Sequence, residues 1–498
     1  MGLISVLSKP VARLVGAQNR RWITNPIKAQ EGIFQSLISK AKDTEFGRDH
    51  SFQKINTYQE FVASVPVRDY EGLKPYIDKV VAGQKDVLWP GRPLYFTKTS
   101  GTTSGSKYIP ISKESMPYHL KSATDAMLSY IEETNNAGFI GGKTIFIQGS
   151  PRLDDTNGIP TGRLSGIVAH HLPWYLKQNN LPSLATNTIE DWEEKVDAIV
   201  EETLSQRMTL ISGIPPWVQM YFEKIQQKTN QPISDVFPDF SLMIHGGVNF
   251  KPYKKRFEEL IGKTIPSIET YPASEGFIAY QDKQSEEGLL LCVNHGIFFE
   301  FIESALFFDD APKRLSLKDV ELGKDYVVIL NTNAGLWGYN IGDTVRFVSI
   351  SPYKIIVTGR IKHFTSAFGE HVIGKEVERA IFDASEEHQV VINEFHVAPQ
   401  VSPSAGLPFH EWFIEFKTFP QDMAAFAKKL NDSMCSQNTY YEDLIKGNVL
   451  CPLKIRCVQL GGFNKMMKDR GKLGGQNKPP RLSNDRLLAD TLTPYLND

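Results

Sequence analysis

The chain reads Phe96-Thr97-Lys98-Thr99-Ser100-Gly101-Thr102-Thr103-Ser104-Gly105-Ser106-Lys107-Tyr108-Ile109-Pro110 between a short strand and a second strand-like run. Glycines let backbone N–H groups converge on an anion, and the hydroxyl side chains add further donors. The stretch therefore predicts a phosphate cradle. It is not a Walker A loop, because Lys107 follows Gly105 at the wrong spacing and Tyr108 replaces the required Ser or Thr. A flexible Ser/Gly surface loop remains the alternative.

A second segment with matching chemistry is Glu269-Thr270-Tyr271-Pro272-Ala273-Ser274-Glu275-Gly276. It places an aromatic ring four residues before a carboxylate, in a turn marked by Pro and Gly. Tyr271 can stack on a base, and Glu275 can hold a magnesium ion. Taken alone, the segment fits better a core tyrosine next to a solvated glutamate.

A third segment, Trp337-Gly338-Tyr339-Asn340-Ile341-Gly342-Asp343, follows a strand and ends in a carboxylate after a Gly turn. An Asp in this position suits the two vicinal hydroxyls of a ribose, since it accepts from both. An Asp beside Gly is also a common turn residue. Each of the three segments is weak alone, and their order along one chain is more specific.

The pattern of predicted helices and strands in the rest of the chain is that of an α/β protein in two parts. The first ninety residues predict helices, and residues 94 to 360 alternate β-rich runs with helical stretches. After Arg360 the pattern resets to helix, two strands and a further helix. We therefore predict an α/β fold with mixed β-sheets flanked by helices in residues 1–361, and a smaller, mobile α+β domain in residues 362–498.

Composition excludes several classes of protein. The chain has 55 Lys and Arg against 57 Asp and Glu, so it has no excess of positive charge that would attract a nucleic acid. The four cysteines lack CxxC spacing, which disfavours a disulfide framework or a zinc site and favours a cytoplasmic location. No apolar run reaches the ~18 residues of a membrane helix, so we expect no membrane partner.

The N-terminus mixes apolar and basic residues in the manner of a targeting peptide. Pro10 and polar residues interrupt any apolar core of such a peptide, and Val6 stands where myristoylation needs Ser or Thr. We predict a helix packed on the main domain.

Together, the three segments resemble the nucleotide-binding motifs of the acyl-adenylate-forming superfamily. They are most similar to those of the auxin-responsive acyl acid amido synthetases of plants and their bacterial relatives, and the resemblance covers nearly the whole chain. It also includes these five segments: Glu45 to Arg48, Val65 to Tyr70, Leu88 to Gly91, Ser212 to Trp217 and Gln476 to Arg481.

The resemblance implies an ATP site that releases AMP, with Mg²⁺ as the metal. The implied ATP-binding residues are Ser100, Gly101, Thr102, Thr103, Ser104, Gly105, Gly246, Gly247, Val248, Thr270, Tyr271, Ser274, Asp343 and Arg360. Tyr271 would stack on adenine, while Asp343 and Arg360 would hold the ribose. The Gly246-Gly247-Val248 run would lie beside the base; a plain strand-to-helix turn is its alternative.

The implied catalytic residues are Lys478, Glu275 and Lys107. Glu275 would coordinate Mg²⁺, Lys107 would lie near the cradle, and Lys478 would reach into the cleft from a Gly-rich loop. Lys362 resembles the hinge about which the C-terminal domain rotates. Without the motif match, Lys478 would be interpreted as a solvated surface residue.

The implied reaction joins a small-molecule carboxylic acid to an amino acid or other amine through an acyl-adenylate. The acyl pocket would include Ser165, Gly166, His170 and Trp217, and His170 or His171 would either deprotonate the amine or be structural. The segment Phe368-Gly369-Glu370-His371 departs from the plant pattern, which leaves the acceptor site open. Two alternatives remain, an acid–thiol ligase that makes a coenzyme A thioester and a non-catalytic nucleotide sensor.

Overall fold

The structure is a computed structural model. It describes residues 3–102, 105–172, 177–189, 192–248, 250, 253–307, 309, 311–361, 364–365, 367–370, 372–470 and 479–497. Within these ranges, no helix combines the length and the apolar character needed to cross a bilayer.

The regular secondary structure that is described before position 95 is helical, as predicted. They form α1 (Leu3–Ile23), α2 (Pro26–Ala41), α3 (Glu45–Asp49), α4 (Tyr58–Ser64) and α5 (Tyr70–Val81). Local caps explain several of the starts: Thr44 accepts from the N–H of Gly47, and Thr57 forms a capping box with Glu60.

The strands of the first 361 residues build two sheets. Their bounds are β1 (Tyr95–Thr102), β2 (Gly105–Ile111), β3 (Lys143–Ile147), β4 (Asp154–Thr156), β5 (Ile159–Gly162), β6 (Asn180–Leu181), β7 (Met208–Gly213), β8 (Leu242–Gly246), β9 (Ser267–Ala273), β10 (Gly276–Tyr280), β11 (Leu289–Leu291), β12 (Ile297–Glu303), β13 (Leu315–Ser316), β14 (Asp325–Thr332), β15 (Tyr339–Ile350) and β16 (Tyr353–Arg360). One sheet has the order β2-β1-β5-β4, and a twelve-stranded sheet has the order β13-β12-β14-β15-β16-β11-β10-β9-β8-β7-β3-β6.

The large sheet changes character along its width. On one side of β9, neighbouring strands pair in parallel, in the order β9, β8, β7, β3, β6. On its other side, neighbouring strands pair antiparallel, in the order β9, β10, β11, β16, β15, β14, β12, β13. The parallel part is flanked by helices, because parallel neighbours need crossover connections. The helices between the strands are α6 (Met116–Thr134), α7 (Leu164–His171), α8 (Leu184–Asn187), α9 (Trp192–Thr203), α10 (Pro215–Thr229), α11 (Ile233–Val236) and α12 (Lys254–Ile261).

The remainder of the chain forms a smaller α+β arrangement around its own apolar core. It contains β17 (Phe364–Thr365), β18 (Val372–Ile373), α13 (Gly374–His388), β19 (Val391–Gln400), β20 (Phe409–Thr418), α14 (Met423–Gln437), α15 (Thr439–Lys446), β21 (Lys454–Val458), α16 (Gly462–Asp469) and α17 (Leu487–Leu492). Strands β19, β20 and β21 form one sheet, and Trp412, Ile414 and Phe426 lie in its core. The α/β fold with a large first part and a smaller second part is confirmed; the boundary at residue 362 and the mobility of the second part stay predictions.

Candidate nucleotide and acyl site

The second and third sequence segments meet in space. Tyr271, on β9, donates its phenolic hydrogen to Asp343 Oδ2 on β15 at 2.5 Å, and both residues are only 9% exposed. Asp343 stands directly opposite Arg360 in the β15–β16 pair. Pairing through β10, β11 and β16 therefore brings together groups that are distant in the sequence.

The glycines predicted beside the base lie at the carboxyl end of β8. Gly246 pairs with Thr270 of β9, and a Cβ on Gly246 would lie 2.2 Å from the Thr270 carbonyl oxygen. Gly247 has a φ of +81°, which favours glycine. Backbone contact and turn geometry thus explain both glycines, and the carboxyl ends of parallel strands are the usual place for a ligand in such sheets.

Residues next to Gly246 and Gly247 hold the loop after β8 against the sheet. Thr270 Oγ1 donates to the His245 carbonyl oxygen at 3.0 Å, and Val248 packs on the apolar cluster beneath. The His245 ring stacks on Phe250 with centroids 4.2 Å apart. Burial lowers the pKa of His245 to about 4, so its imidazole is neutral near pH 7.

Ser274 and Glu275 form the two-residue turn between β9 and β10, where Gly276 pairs with Ala273. Both turn residues are partly exposed. In the part of the chain that is described, no three His, Cys, Asp or Glu side chains converge on a possible metal site.

The predicted phosphate cradle is the tip of the β1–β2 hairpin. Thr99 pairs with Lys107, and Thr102 pairs with Gly105 across the tip. The Lys107 ammonium lies 5.6 Å from the centre of the Tyr70 ring, and the Tyr70 hydroxyl accepts from the Tyr108 N–H at 2.9 Å. Helix α5 therefore contacts β2, the second strand of the hairpin, through Tyr70.

Several predicted residues fall outside what is described. These are Thr103, Ser104, Lys362 and Lys478, together with the side chains of Ser100, Gly101, Thr102, Gly105 and Arg360.

The predicted acyl-pocket residues occupy different surroundings. On α7, Ser165 is partly exposed, and a Cβ on the buried Gly166 would come within 2.9 Å of the Pro151 backbone. His170 is exposed, and its Nε2 lies 2.9 Å from the Pro151 carbonyl oxygen. Trp217, at the start of α10, packs between the core of the parallel strands and the C-terminal core. Gly166 and His170 thus have structural contacts that do not require a ligand.

The neighbouring His171 points toward the cradle strand. Its Nε2 lies 3.0 Å from the Tyr95 hydroxyl, and partial burial lowers its pKa. A lowered pKa keeps the imidazole neutral near pH 7, because burial disfavours its protonated form.

A group that the sequence did not single out joins the two parts of the chain beside the cradle. Arg163 Nη2 donates to Asp443 Oδ2 at 2.6 Å, and its guanidinium carbon lies 5.1 Å from the centre of the Tyr440 ring. Tyr440 also donates to the Lys98 carbonyl oxygen on β1 at 3.2 Å. No local pattern signals this contact, because Arg163 and Asp443 are 280 positions apart.

Comparison with known proteins covers most of the chain. Residues 18–187 and 161–266 match the GH3 family N-terminal domain, residues 290–360 match its central domain, and residues 375–487 match its C-terminal domain. Among curated relatives, the indole-3-acetic acid-amido synthetase GH3.3 of Arabidopsis thaliana is 22% identical over 91% of this chain and 88% of its own length. The jasmonoyl–L-amino acid synthetase JAR6 of Nicotiana attenuata is 24% identical over 91% and 90%.

Solved structures share the fold at lower identity. The GH3.15 acyl acid amido synthetase superposes with a TM-score of 0.62 at 17% identity, over 97% of this chain and 96% of the other. A 2-hydroxyisobutyryl-CoA ligase in its thioesterification state superposes with a TM-score of 0.57 at 13% identity, over 94% and 92%. With all three of its domains matched in order along the sequence, this chain belongs to the GH3 family.

Proposed function

We propose that this protein is an ATP-dependent acyl acid amido synthetase. It adenylates a carboxylic acid, releases pyrophosphate, and passes the acyl group to an amine with release of AMP. The observation that supports the nucleotide site is the contact between Tyr271 and Asp343, since it brings an aromatic ring on β9 together with a carboxylate on β15. The match to the three GH3 domains supports the amide-forming step of the proposal.

The chain supplies groups suited to each part of ATP. The Tyr271 ring stacks on adenine beside the bare backbone of Gly246 and Gly247, and Asp343 and Arg360 hold the ribose hydroxyls. The hairpin residues 100–105 and Ser274 cradle the phosphates through N–H and hydroxyl donors. These roles follow the motif match, and the register of β15 with β16 and of β8 with β9 supports them.

The chemistry takes two displacements. A carboxylate oxygen attacks the α-phosphorus of ATP, and the bond to the pyrophosphate oxygen breaks. An amine nitrogen then attacks the acyl carbon, loses a proton, and displaces AMP through cleavage of the carbon–oxygen bond. Lys478 and Lys107 offset the negative charge that develops in the first step.

Glu275 holds the magnesium ion, which neutralises phosphate charge when it is bound. Replacing Glu275 with Gln keeps the side-chain volume and removes the charge that a hard cation prefers. We expect an unchanged melting temperature and a several-fold higher magnesium requirement for adenylation. Titration of ATP–pyrophosphate exchange with magnesium measures this, and an unchanged magnesium requirement would remove Glu275 from the site.

The acceptor is proposed to be an amino acid, since the named relatives are amido synthetases of indole-3-acetic acid and of jasmonoyl–L-amino acids. An acid–thiol ligase is the second candidate, because a coenzyme A ligase shares the fold. Ser165, Gly166, His170 and Trp217 are proposed to line the acyl pocket, with His170 or His171 as the candidate base for the amine.

We also propose that the chain divides at Lys362 into residues 1–361 and a mobile part, 362–498. The central family match ends at residue 360 and the C-terminal match begins at residue 375, which supports this division. All four cysteines are free, which supports the proposed cytoplasmic location.

A screen of carboxylic acids by ATP–pyrophosphate exchange tests the adenylation step. Acids that support ATP–pyrophosphate exchange are then incubated with amino acids or with coenzyme A, and the products are identified by mass spectrometry. We expect an N-acyl amino acid and AMP. A thioester as the only product would favour the ligase alternative, and nucleotide binding without exchange for any acid would favour a nucleotide sensor.

A further inference from the structure

Helix α1 presents an apolar face to the outside of the molecule. Val6, Leu7, Val11 and Leu14 are 54%, 56%, 48% and 62% exposed. Leu7, Val11 and Leu14 follow the i, i+4, i+7 spacing of one helix face, which also carries the exposed Pro10 and Ala17. The outward face of a surface helix is usually polar, so this outer face of α1 needs an explanation.

The orientation of α1 is fixed by its opposite side. Ser5, Ala12 and Asn19, spaced seven residues apart, are buried at 2%, 0% and 6% exposure. Trp22 Nε1 donates to Asn19 Oδ1 at 3.1 Å, and Arg20 pairs with Glu132 of α6 at 2.6 Å. The helix therefore cannot turn its apolar face inward without giving up these contacts.

Helix α1 carries basic side chains and no acidic one. The first thirty residues contain Lys9, Arg13, Arg20, Arg21 and Lys28 and no acidic residue, whereas the whole chain has a net charge of −2. Arg20 is paired with Glu132, but in the described part of the chain no carboxylate pairs with Lys9, Arg13 or Arg21. The result is an apolar face beside unneutralised cations.

We propose that the outer face of α1 binds an anionic lipid surface. A bilayer offers an apolar layer and anionic headgroups side by side, which matches apolar side chains flanked by basic ones. Pairing of two copies through this face would instead bring two sets of basic side chains together, with no acidic residue on the helix to offset them. The proposal concerns a helix lying on a membrane, and it revises the expectation of no membrane partner, which considered only spanning segments.

The test is co-sedimentation of the full chain with vesicles of phosphatidylcholine alone or mixed with phosphatidylglycerol. We expect binding to the mixed vesicles that weakens as salt rises, and little binding to phosphatidylcholine alone. The double variant V11S/L14S should lower the partition coefficient by roughly tenfold or more. R13Q/R21Q should lower it by about fivefold for each charge removed, on anionic vesicles only.

A matched control is the double variant L460S/L487S, which replaces two leucines that are 68% and 74% exposed in the C-terminal part. It should bind vesicles as the wild type does, and equal melting temperatures of all variants verify that the fold is kept. Absence of binding to anionic vesicles would overturn the proposal. So would a concentration-dependent dimer in sedimentation velocity that V11S/L14S dissociates, because the face would then be a protein interface.

Discussion

At the scale of single residues, the nucleotide hypothesis depends on how Tyr271 meets Asp343. The phenol donates to only one carboxylate oxygen, Oδ2, at 2.5 Å. A carboxylate has about four acceptor sites, so one phenol hydrogen bond does not by itself prevent it from accepting from ribose hydroxyls. The phenol thus orients the carboxylate through a single one of these sites.

Replacing Tyr271 with Phe keeps the ring and removes this hydrogen bond. Hydrogen bonds to charged groups contribute about 1.5–3 kcal/mol, so we expect the Kd of a non-hydrolysable ATP analogue to rise about tenfold to a hundredfold in calorimetry. The control is Tyr326→Phe on β14, where the hydroxyl accepts from the Glu321 N–H at 2.9 Å, away from the proposed site. If Tyr271→Phe binds the analogue as tightly as the wild type, the hydroxyl does not position Asp343 for ribose.

Candidate site residues could be predicted from the sequence where the pattern that marks them lies within one short segment. Tyr271, Glu275 and Asp343 stand in short segments with recognisable chemistry, and Tyr271 and Asp343 are in contact. The site roles themselves stay predictions. The Arg163–Asp443 contact could not be predicted, because a lone Arg and a lone Asp carry no pairing information when 280 residues lie between them.

At the scale of elements, strands with continuous apolar runs were predictable. Among the β-rich runs of residues 94 to 360, those that begin at Lys143, Met208 and Asp325 form β3, β7 and β14. Burial on both faces leaves such a run in β7 and β14, whereas in β3 only Ile145 and Ile147 are fully buried. The joining of twelve strands into one sheet could not be predicted. Partner choice depends on contacts between distant segments, and the local pattern does not encode them.

The pairing of β8 with β9 gives a prediction at this scale. In Gly246→Ala, the added methyl group would collide with the Thr270 carbonyl oxygen and push the two strands apart. We expect a loss of about 1–3 kcal/mol in the free energy of unfolding and weaker binding of the ATP analogue. Chemical denaturation and calorimetry measure the two effects.

Gly32→Ala in α2 is the matched control. A Cβ at this position meets no atom within 4 Å, so alanine should be neutral or stabilise the helix by about 0.5–1 kcal/mol. If Gly246→Ala were as stable and bound the analogue as well as this control, the close approach of β8 and β9 would not matter to the site.

At the scale of the whole molecule, the Arg163–Asp443 pair links the cradle region to α15 across the predicted boundary. The two side chains are 35% and 47% exposed, so the pair should contribute less than about 1 kcal/mol to stability. A small bias of this kind still shifts the populations of two domain orientations several-fold. If the second part rotates between half-reactions, Asp443→Asn should change the rate of one half-reaction and spare the other.

Single-turnover rates of acyl-adenylate formation and of aminolysis measure this split. The control is Asp432→Asn, which removes a pair with Lys428 inside α14 at 2.6 Å and should leave both rates unchanged. Equal effects of Asp443→Asn on both half-reactions, or none, would contradict a role of this contact in domain orientation.

The central claim, activation of an acid as its acyl-adenylate, is tested most directly by following carboxylate oxygen. An acid labelled with ¹⁸O at both carboxylate positions is turned over with ATP and an amino acid, and AMP and the amide are analysed by mass spectrometry. Attack on the α-phosphorus predicts one ¹⁸O in AMP and one in the amide carbonyl. Unlabelled AMP, or label in inorganic phosphate with ADP as the nucleotide product, would contradict the account.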